Sequence, residues 1–473
     1  MNGIDYEKIR VKGFNIKSIK ELVIKNEINN HAEIYITGII DEKYADKYID
    51  ITGASRRIKV YVDNDSPKDI FNGVVTEIEL NVRDEVYTID IRGKSFSYTL
   101  DIEKVSRSFQ DTSLTYHKII KMILDKYDIS YNISIPDLQI GELLIQYEET
   151  DYEFLRRIIS KFNAAIFTDC FRERGSIYIG TPDNKKNLRN QISDFKIEKN
   201  LEEYEYMKEN YIADAKETDY ISYNIKTLEL LSIGDNIDFL NHRFYVYKAR
   251  YEISQGILVN HYNLRVKNGV RVKNIYNSKV CGSSIDGKII DVSGEKVQIH
   301  LDIDKVQDKS KAYWFKFSTM SASNDGSGWY CMPEVGDSVR VYFPSKLESE
   351  SFAVSAVSDY VCEDPSSEDM MGNPDNKYLK TANDKLVKLT PDGVSLSCDS
   401  GQADVKFNTD GSVSIVSKNN VSIMAQNNVE LISEKKVKVK ASESIYIGND
   451  IGAGLQFDEE GQIKEIGCEV KNN

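Results

Sequence analysis

A mainly β chain is predicted, with one small α/β insert, two N-terminal β-barrels, a five-strand barrel of OB-fold shape and a C-terminal trimeric β-helical needle. Three observations predict it. Alternating apolar and polar residues recur up to about residue 98 and again from about 195 to 357, the pattern of half-buried strands. Between these stretches the apolar spacing turns helical, over 113–128 and again after Thr150. From Val405 to Ile447 an apolar–x–apolar pair recurs six times, each starting eight residues after the last. A fixed period marks a repeat architecture.

Residues 1–98 hold strand runs at 33–38, 58–62, 74–82 and 86–91, separated by Asn, Asp, Gly and Pro clusters, and read as the first barrel, closed or half-closed. Residues 99–194 form the α/β insert. Its second helix opens on Thr150-Asp151-Tyr152-Glu153, a capping box in which hydroxyl and carboxylate satisfy each other's orphan N–H groups. Phe154, Leu155, Ile158, Ile159 and Phe162 then make one apolar face, with Arg156, Arg157 and Lys161 expected in solvent. Strands return over 195–277 as a second barrel, and 278–360 supply five strands that fit an OB-fold. Residues 361–393 are a linker and neck, with the acidic, Pro-, Ser- and Gly-bearing run at 364–375.

The octads occupy the needle, 394–447. Their pairs are Val405/Phe407, Val413/Ile415, Val421/Ile423, Val429/Leu431, Val437/Val439 and Ile445/Ile447. Eight is even, so every pair keeps one face of a strand. Two residues beyond each of the first five pairs stands a small side chain, and two further a turn-type or charged residue. One octad cannot bury its own stripe, and a lone ribbon of them would leave an edge or face open. Three intertwined chains would close it with the large slots on a dry axis. The alternative is a meander within one chain, turning at Asn419-Asn420 and Asn427-Asn428. Lys435-Lys436 and Glu443-Ser444 are poor primed-turn residues, which disfavours it. Residues 448–473 form a short tip segment.

At 473 residues the chain suits several domains. Its 41% hydrophobic and 10% aromatic content is that of a folded protein. A net charge of −14, from 75 acidic and 61 basic residues, argues against nucleic acid or anionic lipid as a partner. Met1 leads into Asn-Gly-Ile-Asp with no signal-like segment, so cytoplasmic synthesis is expected. The six scattered cysteines read as buried free thiols, and the five dispersed histidines mark no metal site. No cofactor is expected. Residues 282–288 (GSSIDGK) nearly spell a phosphate loop, but Ile289 follows and a strand opens there instead of a helix. With no G-x-S-x-G, no H-E-x-x-H and no nucleophile–base pairing, an enzyme is not expected.

Three stretches carry a family resemblance. Residues 146–169 (QYEETDYEFLRRIISKFNAAIFTD), residues 329–343 (WYCMPEVGDSVRVYF) and the octads resemble, in this order, the hub-and-spike proteins of contractile injection systems. That family includes the VgrG proteins of type VI secretion, the phage late control D proteins and the spikes of phage-tail-like particles. Leu100-Asp101 and Ser108-Phe109-Gln110 add weaker support. The resemblance makes Trp329, Pro333, Glu334, Gly336 and Asp337 a spike-base signature. Read physically, Pro333 and Gly336 shape a turn into a strand, Trp329 is a core or interface anchor, and Glu334 and Asp337 are turn carboxylates. The resemblance implies a structural homotrimer, made in the cytoplasm and fired as part of a particle, that adapts a six-fold tube to a three-fold needle. Its implied partners are the inner tail-tube protein, baseplate proteins and a small tip-capping protein. The target membrane is met by mechanical puncture. In the tail itself Leu455 and Phe457 are the expected tip-docking residues; the alternative is that they simply seal the end of the prism. The competing reading is an envelope-degrading enzyme or a trimeric tailspike depolymerase; such an enzyme needs paired carboxylates along a saccharide groove, whereas the octad faces are wholly apolar.

Overall fold

The computed structural model describes residues 3–469 apart from 54–55, 189–191, 193, 322, 324, 326, 359, 363–368 and 399–400. Part of the expected linker (364–368) therefore lies outside the described residues, as do 470–473 of the tip segment. The chain forms two compact units, residues 1–359 and 360–473.

In the first unit the strands expected in two barrels share one twelve-stranded sheet. From one edge it runs Ile9–Lys12, Arg57–Val62, Lys68–Arg83, Val86–Ser95, Glu33–Ile40 and Ile16–Glu27. It then crosses to His242–Ser254, Ile257–Arg265, Ile221–Thr227 and Phe195–Lys199, while Asp235–Phe239 branches from His242–Ser254 and carries Asn184–Lys186. The seam is antiparallel, with Tyr251 opposite Ile24, Arg250 opposite Lys25 and Lys248 opposite Glu27. Period-two alternation sends Ile24, Ile34, Ile36, Ile91, Tyr251 and Tyr262 into one core, while Lys25, Glu27, Lys248 and Arg250 take the other, charged face. The buried phenols are satisfied: Tyr251 donates to the Leu231 carbonyl at 2.6 Å and Tyr262 to that of Glu229 at 2.9 Å. Two helices here have no counterpart in the strand pattern, Ala45–Ile51 and Leu201–Asn210. The second starts where the Asn200 side chain accepts from the Glu203 N–H; it buries only Met207, so it carries almost no apolar stripe to read.

The insert forms as its caps dictate. Thr115 caps the helix Tyr116–Leu124, and the Thr150–Glu153 box, with bonds of 3.1 and 3.0 Å, opens Asp151–Ser160. Phe154 stacks on Phe109 at 5.5 Å in the insert's own core. Residues 284–355 close into a five-strand barrel, in the order Ser284–Ser293, Lys296–Leu301, Trp314–Phe317, Phe352–Ser355 and Ser338–Tyr342. Closure removes the edges, and Ile289, Val297, Ile299, Leu301, Phe315, Val339 and Phe343 fill the interior. Of the six free cysteines only Cys170 is buried; Cys281, Cys331, Cys398 and Cys468 are exposed, so burial was the wrong expectation for most of them.

The second unit is built differently. Lys377–Lys380, Lys385–Thr390, Gly393–Cys398, Ala403–Asn408 and Val413–Ser417 form an antiparallel five-stranded meander. At its turn Gly393 has φ +144°, and a Cβ there would lie 2.1 Å from the Phe407 carbonyl oxygen, so only glycine fits. Residues 418–444 form no strand. A three-stranded meander follows, Ile445–Gly448, Gly454–Phe457 and Ile463–Ile466. Among the described residues, no side chain beyond Ala353 is buried. No helix of the described residues is long and apolar enough to cross a membrane.

Candidate functional site: the barrel joint and the apolar face of the second unit

The signature residues sit at the entry to the barrel strand Ser338–Tyr342. The Asp337 carboxylate accepts the Glu334 N–H at 2.8 Å, the Asp337 N–H donates to the Glu334 carbonyl at 3.1 Å, and Gly336 has φ +101°. Pro333 enters that turn. The Asp337 carboxylate is thus a turn cap. Trp329 is 49% exposed and Tyr330 and Val335 more so. Trp329 is therefore not a core residue, which leaves the interface half of the expectation.

The barrel meets the insert through a buried polar joint that the sequence pattern hides. Arg157, expected in solvent, is 3% exposed. Its guanidinium forks onto Glu149, both N···O distances being 2.8 Å, and reaches Glu348 of the barrel at 2.6 Å and the Ile145 carbonyl at 2.6 Å. Burial alone would strip the charge from Arg157, but the bonds to Glu149 and Glu348 outweigh it and hold its pKa above the ordinary value. Burial pushes the Glu149 carboxyl up in spite of the arginine. Around this cluster Leu143 and Ile145 enter the barrel core. Gln110 donates to the Ile299 carbonyl at 3.1 Å and accepts the Tyr313 N–H at 3.0 Å. Asp304 accepts the Ser108 N–H at 2.8 Å. The short motif Ser108-Phe109-Gln110 is thus one wall of the joint.

In the second unit the first two octads pair with each other, Val405 opposite Ile415 and Phe407 opposite Val413. The expected neck extends them. Leu379, Val387, Leu396, Val405 and Ile415 form one cross-strand row, and Leu389, Val394, Phe407 and Val413 a second on the same face. The meander stops at Ser417. Beyond it the chain bends at 418–419, 426–427, 434–435 and 442–443, once per octad. Between 419 and 444 no backbone–backbone hydrogen bond joins described residues. Hairpins at Asn419-Asn420 and Asn427-Asn428 therefore do not form within the chain. Of the twelve slots, Val405 and Ile445 are half-buried. Phe407, Val413, Ile415, Val421, Ile423, Val429, Leu431, Val437, Val439 and Ile447 are 48–73% exposed.

Comparison with known proteins places the first unit. Residues 48–168 match the phage tail baseplate hub family, and residues 286–356 the injector OB domain of type VI secretion systems and phage baseplates. The two matched stretches follow one another in the first unit, the hub match before the OB-domain match. The E. coli c3393 protein, a component of the type VI secretion system, aligns with 12% identity over 73% of this chain and 99% of its own, at a TM-score of 0.50. The Francisella PdpA–VgrG complex in its half-lidded form aligns with 10% identity over 86% of this chain and 87% of that one, at 0.52. At such identity the likeness is one of fold. No curated protein matches the chain by sequence.

Two further places bear on function. At its C-terminal end Phe457 stands opposite both Ile445 and Ile463, and Leu455 opposite Ile447. Leu455 and Phe457 are about 40% exposed, on a small apolar face. In the first unit Ser97, His31 and Asp101 form a row, with Oγ···Nδ1 at 2.8 Å and Nε2···Oδ2 at 3.2 Å. Residues 66 and 70 positions apart in sequence make it, so no spacing rule reveals it. A serine nucleophile must face a substrate beside oxyanion donors. Ser97 instead is 3% exposed and bonds Ser95, and Asp101 also accepts the Thr150 hydroxyl. The row ties the sheet to the insert.

Proposed function

We propose that the chain is the structural homotrimeric hub and membrane-piercing spike of a contractile injection system, adapting a six-fold tube to a three-fold needle. The carrying observation is the second unit: strands and a periodic apolar stripe without one buried side chain among the described residues. Strand backbones need partners, and an apolar face of this size marks an interface. A second and third copy supply both, because the eight-residue bends repeat the same edge and the same face at each step. The family matches support the hub half of the reading, with the inner tail-tube and baseplate proteins as its neighbours. Sedimentation of the full chain at micromolar concentration is expected to return three times its 54.0 kDa mass; a monomer would overturn the intertwined needle.

The apolar face around Leu455 and Phe457 is, on this reading, the seat of a small capping protein. Deleting 448–473 is expected to leave the trimer intact while tip-protein co-purification and particle activity are lost. Active particles that still carry a tip protein after the deletion would remove that role.

A further inference from the structure

We infer that the charged face of the hub sheet contains a carboxylate-binding site centred on Tyr152 and Arg156. A cavity of about 840 Å³ opens there, lined by the seam strands Ile16–Glu27 and His242–Ser254 and by the start of the insert helix Asp151–Ser160. Most of its charges are spent on each other. Lys248 pairs with Glu27 at 2.6 Å, Arg250 and His261 reach Glu252 at 2.6 and 3.3 Å, and Lys94 lies 3.9 Å from Glu33. Asp101 is held by His31 and Thr150. Lys25 stands exposed at the cavity wall without an ion pair among the described residues, and two buried donor atoms are left over. Tyr152 lines the cavity at 1% exposure, and its hydroxyl has no partner among the described residues. Arg156, whose guanidinium lies 5.9 Å from the Tyr152 ring, makes no ion pair among them, and its Nε is buried and unpartnered.

A buried hydroxyl and a buried guanidinium N–H without acceptors are costly, and native folds leave few of them without a purpose. Burial raises the Tyr152 pKa, so the phenol keeps its proton and donates. His31 lies 4.1 Å from the Tyr152 ring and holds its tilt. One guanidinium fork and one phenol O–H match the two oxygens of a carboxylate. A phosphate dianion would meet Glu27, Glu33, Asp101 and Glu252 in the same wall, which disfavours it. The cavity exceeds a small acid in size, so an acidic side chain of a polypeptide fits as the source. The site stands independently of the spike reading, because it uses no residue of the second unit.

The test is thermal unfolding of the full chain with sodium glutarate, a penta-glutamate peptide or sodium phosphate, each against sodium chloride of equal ionic strength. Glutarate and the peptide are expected to raise the hub's midpoint, the peptide at lower concentration. Without ligand, Tyr152→Phe should keep or raise the midpoint, since it deletes only an unpartnered hydroxyl. With ligand, Tyr152→Phe and Arg156→Gln should each bind about tenfold more weakly. Wild-type affinity in Tyr152→Phe, no stabilisation by either carboxylate, or stabilisation by phosphate alone would overturn the assignment.

Discussion

Val421→Asp is expected to abolish the trimer, whereas Ser422→Asp next to it leaves assembly unchanged. In the proposed three-fold needle three copies of a slot come together, so one substitution would bury three carboxylates. Each costs several kcal/mol or takes up a proton. In that proposed needle Ser422 would face outward, because side chains alternate along a strand. Ile423→Asp should behave as Val421→Asp does. Sedimentation and resistance to detergent at neutral pH measure both classes, and equal stability of the two would show that the face assignment is wrong.

Arg157→Met should destabilise the joint between insert and barrel by about 3–5 kcal/mol, because it leaves two buried carboxylates facing each other without a cation. The deficit depends on pH with a definite sign. The Glu149 carboxyl is already raised above its ordinary value by burial, and loss of the arginine raises it further. A carboxyl raised in the folded state favours folding while it is protonated and loses that contribution as pH rises through its folded pKa. The variant should therefore approach the wild type as pH falls toward the ordinary glutamate value and fall furthest behind at neutral pH. Urea unfolding of the first unit across that range measures the gap. A constant gap would mean that lost packing, not stranded charge, is the cause.

Local chemistry was legible in the sequence; long-range pairing was not. The Thr150–Glu153 box lies within four residues and could be read directly. The octad stripe could be read as a period. Arg157 could not, because its barrel partner Glu348 is 191 residues away and a helical wheel assigns it only an angle. The neck was expected, but its joining of the octad rows was not, for a different reason. Hairpin turns reset the phase, so Leu396 lands opposite Val405, nine positions on instead of eight. Nor could a period in one strand group show that Ile16–Glu27 joins His242–Ser254 edge to edge. Trp329 was ambiguous because an aromatic beside a turn serves a core or an interface equally well.

The bends once per octad between 418 and 443 have a consequence for counting. Intertwined copies of a regular repeat cannot tell one octad from the next. Sliding one strand by eight residues returns every apolar side chain to the axis, so the shaft by itself admits several alignments of nearly equal energy. The tie is broken by the backbone-hydrogen-bonded turns within the chain at either end: the meander Lys377–Ser417 and the hairpins Ile445–Ile466, which the stretch 418–444 lacks. These end pieces act as alignment marks. In the proposed needle, three chains that enter with their meanders matched would be committed to a single register before the shaft zips.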